Sequence, residues 1–144
     1  LHLMAYSAGV PMAIQYTLNN PDKVVSLLLL DFPARYPSYS EQWAARTKSI
    51  HRNYAPHVID AIQRDSDDIE LWSELGDITC PIRLIFGELS QVMTDEELSA
   101  YRRHIPHIDI VRFKDSDHQI WKPNYQRFID ALTEFFNHVD EDNA

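Results

Sequence analysis

Ser7 stands in the run Ala5-Tyr6-Ser7-Ala8-Gly9, a serine with small residues two places before and two places after it. That spacing suits a hydroxyl carried on a sharp strand-to-helix bend, where the backbone passes close to neighbouring strands and a larger side chain would clash. The bend lifts the oxygen clear of a sheet. The first amides of the helix, that of Ala8 among them, aim partial positive charge at a reacting oxygen. A serine at this place also fits a helix N-cap, so nucleophile and cap are alternative readings of one residue. His118 is the matching base, on a loop from which an imidazole can swing over the end of a sheet toward Ser7.

These side chains need elements to bring them together. Positions 1–5 read as the tail of a buried strand, after which Val10, Ala13, Ile14 and Leu18 take up helical spacing. Pro11 is tolerable only in a helix's first turn, so that helix starts close to Ser7, and Asn19-Asn20-Pro21-Asp22 stops it. Positions 24–30 are a nearly unbroken apolar run, the mark of a strand covered on both faces in a parallel sheet, and Asp31 is an out-of-character charge at its carboxyl end.

From 32 to 76 the pattern changes: Pro33 and Pro37 break the exit, and helical segments are predicted near 41–54, 56–63 and 68–75. This stretch reads as a short helical lid insertion, with Trp43, Tyr54 and Trp72 as core rather than pocket lining. Further strands are predicted over 82–86, closed by Gly87, and over 108–113, where Asp109 and Arg112 suit a sheet edge. Thr94-Asp95-Glu96-Glu97 is a capping box for a helix running to about 104. Asp115 and Asp117 in the loop before His118 read as solvated, as does the acidic tail from 140. The last helix, 124–137, puts Tyr125, Phe128, Ile129, Leu132, Phe135 and Phe136 on one stripe. The alternation predicts an α/β fold with a parallel sheet of about four strands and flanking helices.

Composition narrows the partners. The chain has 144 residues, 44% hydrophobic and 24% charged, enough apolar material for one domain's core. Its formal charge of -9, without a basic patch, argues against nucleic acid and anionic membrane and leaves a small-molecule substrate. No signal peptide or membrane span is visible, and the one cysteine, Cys80, excludes an internal disulfide, so a cytoplasmic location is expected. No metal or other cofactor is called for: Pro106 breaks the helix that would align His104 with His107, and His51 and His57 do no better. Three glycines, at 9, 76 and 87, are few against a usual level of about 7%, so each is expected to matter for local geometry. The chain opens without Met on an apolar stretch and reads as a piece of something longer.

With Ser7 at a strand-to-helix turn, Cys80-Pro81-Ile82 leading through a strand to Gly87, and Ser116-Asp117-His118 in the last loop, the sequence resembles the carboxyl-terminal half of an α/β-hydrolase. The resemblance runs over 1–138, with Ala5 in place of the first glycine of the elbow. It implies a partial α/β-hydrolase fold over 1–144 with the insertion at 32–76, and a serine hydrolase acting through an acyl-enzyme on a small carboxylic ester or related acyl substrate. Ser7 would attack, His118 would take and return the proton, and the Ala8 amide would hold the oxyanion.

The usual acid slot reads Gly87-Glu88-Leu89-Ser90-Gln91, without Asp. Some relatives place the acid one strand earlier, which here is Asp31; it is preferred, with Glu88 the alternative, then Asp95 or no acid. As a structural carboxylate, Asp31 would instead cap the Phe32-Pro33-Ala34 turn. Tyr6 and Trp121 are candidate pocket walls. The family's first strands and second oxyanion amide precede the elbow, so a missing amino-terminal half of the domain is expected and these residues alone should be inactive or poorly folded. The empty acid slot keeps open a non-catalytic ligand-binding protein of the same fold, and a third reading is an inactive fragment.

Overall fold

A computed structural model describes residues 1–142, without the side chain of 142. In chain order the elements are β1 (His2–Tyr6), α1 (Gly9–Asn19), β2 (Ser26–Leu30), β3 (Arg35–Tyr36), α2 (Glu41–Ile50), α3 (Pro56–Asp65), β4 (Ile69–Glu70), β5 (Ile82–Gly87), α4 (Asp95–His104), β6 (Asp109–Phe113) and α5 (Tyr125–Asp142). They form two compact units, one of 1–34 with the chain from 71 onward and one of 35–70.

The larger unit is built on a four-stranded sheet in the order β1-β2-β5-β6 with every pair parallel. All five residues of β2 are buried because successive side chains alternate between two covered faces. Leu28 and Leu30 pack with Ile85, Phe113, Ile120 and Phe128, Phe135 and Val139 of α5. Leu27 and Leu29 point to the other face, where α1 lies against β1 and β2. β6 forms one edge, with Asp109 and Arg112 exposed, as its charges predict, and Phe113 buried. β1 forms the opposite edge and leaves Met4 half exposed, beside Met12 and Tyr16 of α1.

Buried Arg83 on β5 places its charge by reaching Asp109 of β6 at 2.5 Å and the Ala131 carbonyl of α5 at 2.8 Å. Tyr101 of α4 is fully buried, and its hydroxyl donates to the Phe32 carbonyl at 3.0 Å. Burial, then the charge of Glu97, pushes that phenol well above its usual range, so it stays a donor. The α4 capping box is complete: Thr94 Oγ1 accepts from Glu97 N–H at 3.2 Å and Glu97 Oε2 from Thr94 N–H at 2.8 Å. Among the described residues no helix is long and apolar enough to cross a membrane.

In the smaller unit, α2 and α3 pack together and Lys48 of α2 meets Asp60 of α3 at 2.6 Å. β3 and β4 pair antiparallel, Arg35 opposite Glu70 and Tyr36 opposite Ile69. The helix expected over 68–75 is therefore corrected to β4 followed by a 3-10 helix over Trp72–Asp77: two residues pair at the unit's neck before the chain turns. Tyr54 is exposed rather than core, because it lies in the turn after α2 rather than on its packed face. Cys80 is only half-buried. The last helix runs five residues past the predicted end, since buried Val139 extends the stripe; of the acidic tail, 140 and 141 are exposed and 143–144 lie outside the described residues.

Asp68 clasps the unit's first loop, accepting from the Ser38 N–H and the Ser38 hydroxyl, each at 2.9 Å. These bonds hold its carboxyl below its ordinary value of 3.8. A depressed carboxylate contributes stability above its ordinary value and loses it as pH falls through the lowered one. In an NMR titration the Ser38 amide is thus expected to shift with a midpoint below 3.8, and not to titrate there in Asp68→Asn.

Candidate active site

β1 ends at Tyr6 and α1 begins at Gly9, so Ser7 and Ala8 must turn the chain. Ser7 does so at φ 54°, in the left-handed region, which costs a non-glycine residue about 1–3 kcal/mol and persists only where the surroundings hold it. Here Ser7 N–H donates to the Leu30 carbonyl at 3.0 Å and Val10 N–H to the Ser7 carbonyl at 2.9 Å. The N-cap of α1 is Ala8, with no side-chain cap bond, so the Ser7 hydroxyl is not spent on capping. It meets His118 Nε2 at 2.9 Å. The Ala8 amide leads into the helix's first turn, where N–H groups lack intrahelical carbonyls.

Asp31 follows β2 directly and repeats the device at φ 51°. Its N–H donates to the Ile85 carbonyl at 2.9 Å, and the side chain is fully buried. Oδ1 accepts the Gly87 N–H at 3.1 Å, and Oδ2 lies 2.7 Å from His118 Nδ1. Two adjacent parallel strands thus end in the same left-handed kink, and each kink turns a polar side chain toward one imidazole. Glu88 instead faces Arg112, 3.7 Å away, and Asp95 opens α4.

Gly87 decides where the histidine loop can pass. A β-carbon there would lie 2.3 Å from the Asp117 carbonyl oxygen and 2.5 Å from that of Ser116, and main-chain atoms cannot rotate aside. At Gly9 and Gly76 the nearest atoms are 3.9 and 3.8 Å away, ordinary contact, so of the three glycines expected to matter for local geometry only Gly87 is required by a close approach. The nearest atom at Gly9 is the Ala5 β-carbon, so the elbow has room for a β-carbon at both positions. Gly87→Ala is expected to lower stability by roughly 1–3 kcal/mol, read from the denaturant midpoint; a parental midpoint would contradict the close packing.

Further along the loop, buried Ser116 donates its hydroxyl to the Lys122 carbonyl and accepts from Arg127 of α5 at 2.9 Å. Arg127 also pairs with Asp115 and lies over the Phe113 ring at 4.2 Å. Its hydrogen bond holds the Asp115 carboxyl below the usual range, so Asp115 is a loop anchor rather than simply solvated. Asp117 Oδ1 accepts the Gln119 N–H at 2.8 Å. Arg127 has no motif to announce it; only its place on the first turns of the last helix marks it. Trp121 meets Tyr6 edge-on at 5.1 Å and packs toward Phe128, while Tyr6 lines an apolar groove of about 530 Å³ with Leu3, Met4, Gly9 and Met12. Among the described residues no group of three His, Cys, Asp or Glu side chains gathers as a metal site would require.

No protein-family model matches the chain, and no curated protein matches it. Solved structures do. A thermophilic esterase superposes with a TM-score of 0.70 at 20% identity over 96% of this chain and 66% of its own. E-2-(acetamidomethylene)succinate hydrolase gives 0.65 at 17% over 94% and 66%, and a monoacylglycerol lipase from Paleococcus ferrophilus gives 0.64 at 20% over 96% and 68%. The chain spans about two thirds of the length of these structures. At such identities the likeness establishes the fold: these residues have the α/β-hydrolase fold over the part carrying Ser7, Asp31 and His118.

Proposed function

We propose that the polypeptide carrying this chain is a serine hydrolase that acts through an acyl-enzyme on a small carboxylic ester or related acyl substrate. One observation carries this: a single imidazole, His118, lies 2.9 Å from the Ser7 hydroxyl and 2.7 Å from the buried Asp31 carboxylate. Since the carboxylate accepts, Nδ1 is the donor and Nε2 is left to accept. As Ser7 Oγ bonds to the substrate carbonyl carbon, its proton passes to Nε2, and the carbonyl π pair moves onto oxygen. The Ala8 amide faces that developing charge. A donor so placed contributes about 10²–10³-fold to such reactions. Collapse expels the alcohol, which takes the proton from Nε2, and water then repeats the sequence on the acyl-Ser7 ester.

The second oxyanion amide and the rest of the sheet, on this proposal, come from a segment of the same polypeptide preceding residue 1. The β1 edge supports that: it leaves Leu1 and Met4 half exposed beside the apolar groove. A cytoplasmic setting accords with the single cysteine.

The test is pre-steady-state hydrolysis of p-nitrophenyl acetate by that polypeptide. A p-nitrophenol burst of about one equivalent before the slower steady phase is expected. Absence of turnover, with ligands merely raising the melting temperature, would favour a binding protein instead.

A further inference from the structure

His118 is one-third exposed and sits on a loop, yet its ring must present two nitrogens to two fixed partners at once. Two hydrogen bonds locate two points of a ring and leave it free to rock about the line joining them. Something must fix its plane. The Tyr6 ring lies against it, with centroids 4.8 Å apart and planes 28° from parallel. The same tyrosine's hydroxyl donates to the His118 main-chain carbonyl at 3.1 Å. Trp121 buttresses Tyr6 edge-on at 5.1 Å.

Tyr6 is also the last residue of β1, in register with Leu30, and its peptide continues directly into Ser7. We propose that Tyr6 is a positioning residue: it ties both the ring plane and the main chain of His118 to the strand that carries Ser7, so that Nε2 keeps facing Oγ and Nδ1 keeps facing Asp31. This rests on the hydrolase reading of Ser7, to which it adds a residue that does not itself touch the reacting atoms. The restraint matters most once Ser7 is acylated. The Ser7 hydroxyl bond to Nε2 is then gone, and Asp31 with Tyr6 must hold the imidazole while it takes a proton from water. Burial, and after it the charges of Asp31 and Asp117, raises the Tyr6 phenol, so the hydroxyl keeps the proton it donates.

The experiment compares Tyr6→Phe, which keeps the stacked ring and loses the hydroxyl, with Tyr6→Leu, which loses both, in the polypeptide that carries the chain. Ester kinetics, thermal unfolding and the proton resonance of His118 Nδ1–H are read on each. Tyr6→Phe is expected to lower kcat by roughly 2- to 10-fold, the worth of one hydrogen bond. Tyr6→Leu is expected to lower it by about 10²-fold, as misplacement of a catalytic group does, with KM within about twofold and the Nδ1–H resonance broadened away.

Parental kcat and a sharp resonance in both variants would overturn the proposal, as would a change confined to KM, which would make Tyr6 a pocket wall. If Tyr6→Leu does not fold, Tyr6→Phe decides alone. A parent protein with no turnover defeats the reading of Ser7 and, with it, the proposal. A reactive parent whose Tyr6 variants react equally fast refutes Tyr6 only.

Discussion

Replacing Ser7 with alanine is expected to lower kcat/KM for a small ester by about 10⁴-fold or more, because no other group in the site can form the acyl intermediate. The fold should barely register the change. The hydroxyl bonds to His118 and does not cap α1, so stability is expected to stay within about 1 kcal/mol of the parent. Ser7→Gly sharpens the point. It removes both the hydroxyl and the β-carbon strained at φ 54°, and is expected to be equally inactive yet more stable by roughly 1 kcal/mol. A serine kept at a destabilising backbone position for its chemistry predicts that opposition of activity and stability. A structural serine does not.

The second large effect falls on Asp31. In Asp31→Asn the side-chain amide can turn its NH₂ toward Nδ1, which pushes the ring proton onto Nε2 and leaves nothing there to accept from Ser7. A loss of about 10³–10⁴-fold in kcat is expected, with binding little changed. The asparagine oxygen can still accept the Gly87 N–H, so the variant should fold. Asp31→Ala removes that acceptor and strands a buried donor, which costs about 1–3 kcal/mol besides the activity. Glu88→Gln is the control. Its carboxylate faces Arg112 at 3.7 Å, so parental rates are expected, and a fall matching that of Asp31→Asn would shift the acid role to Glu88.

Much of the fold could be read from residue patterns because its central elements carry strong ones. β2 is buried on both faces and reads as an unbroken apolar run; α4 opens on a capping box; α5 shows one continuous stripe. The β3–β4 pair escaped because two-residue strands are too short to show any period, and they pair far along the chain, Tyr36 with Ile69 and Arg35 with Glu70. At the site, Ser7 and His118 stand out by neighbours and order. Asp31 stands out only as a charge ending an apolar strand, and the choice between it and Glu88 turns on a backbone kink that side-chain types do not disclose. Gly87 was visible as a strand's end, but the carbonyls that require it come from 29 and 30 residues downstream, at Ser116 and Asp117. Arg127 and the hydroxyl of Tyr6 act on the histidine loop through contacts of the folded chain, and single residues give no local sign of those.

The most direct measurement is covalent. The polypeptide carrying this chain is treated with a fluorophosphonate, digested, and its peptides are weighed. One adduct is expected, on the peptide containing Ser7, absent from Ser7→Ala and much slower to form in Asp31→Asn. A folded protein that hydrolyses esters but takes the label on another residue, or not at all, would contradict it.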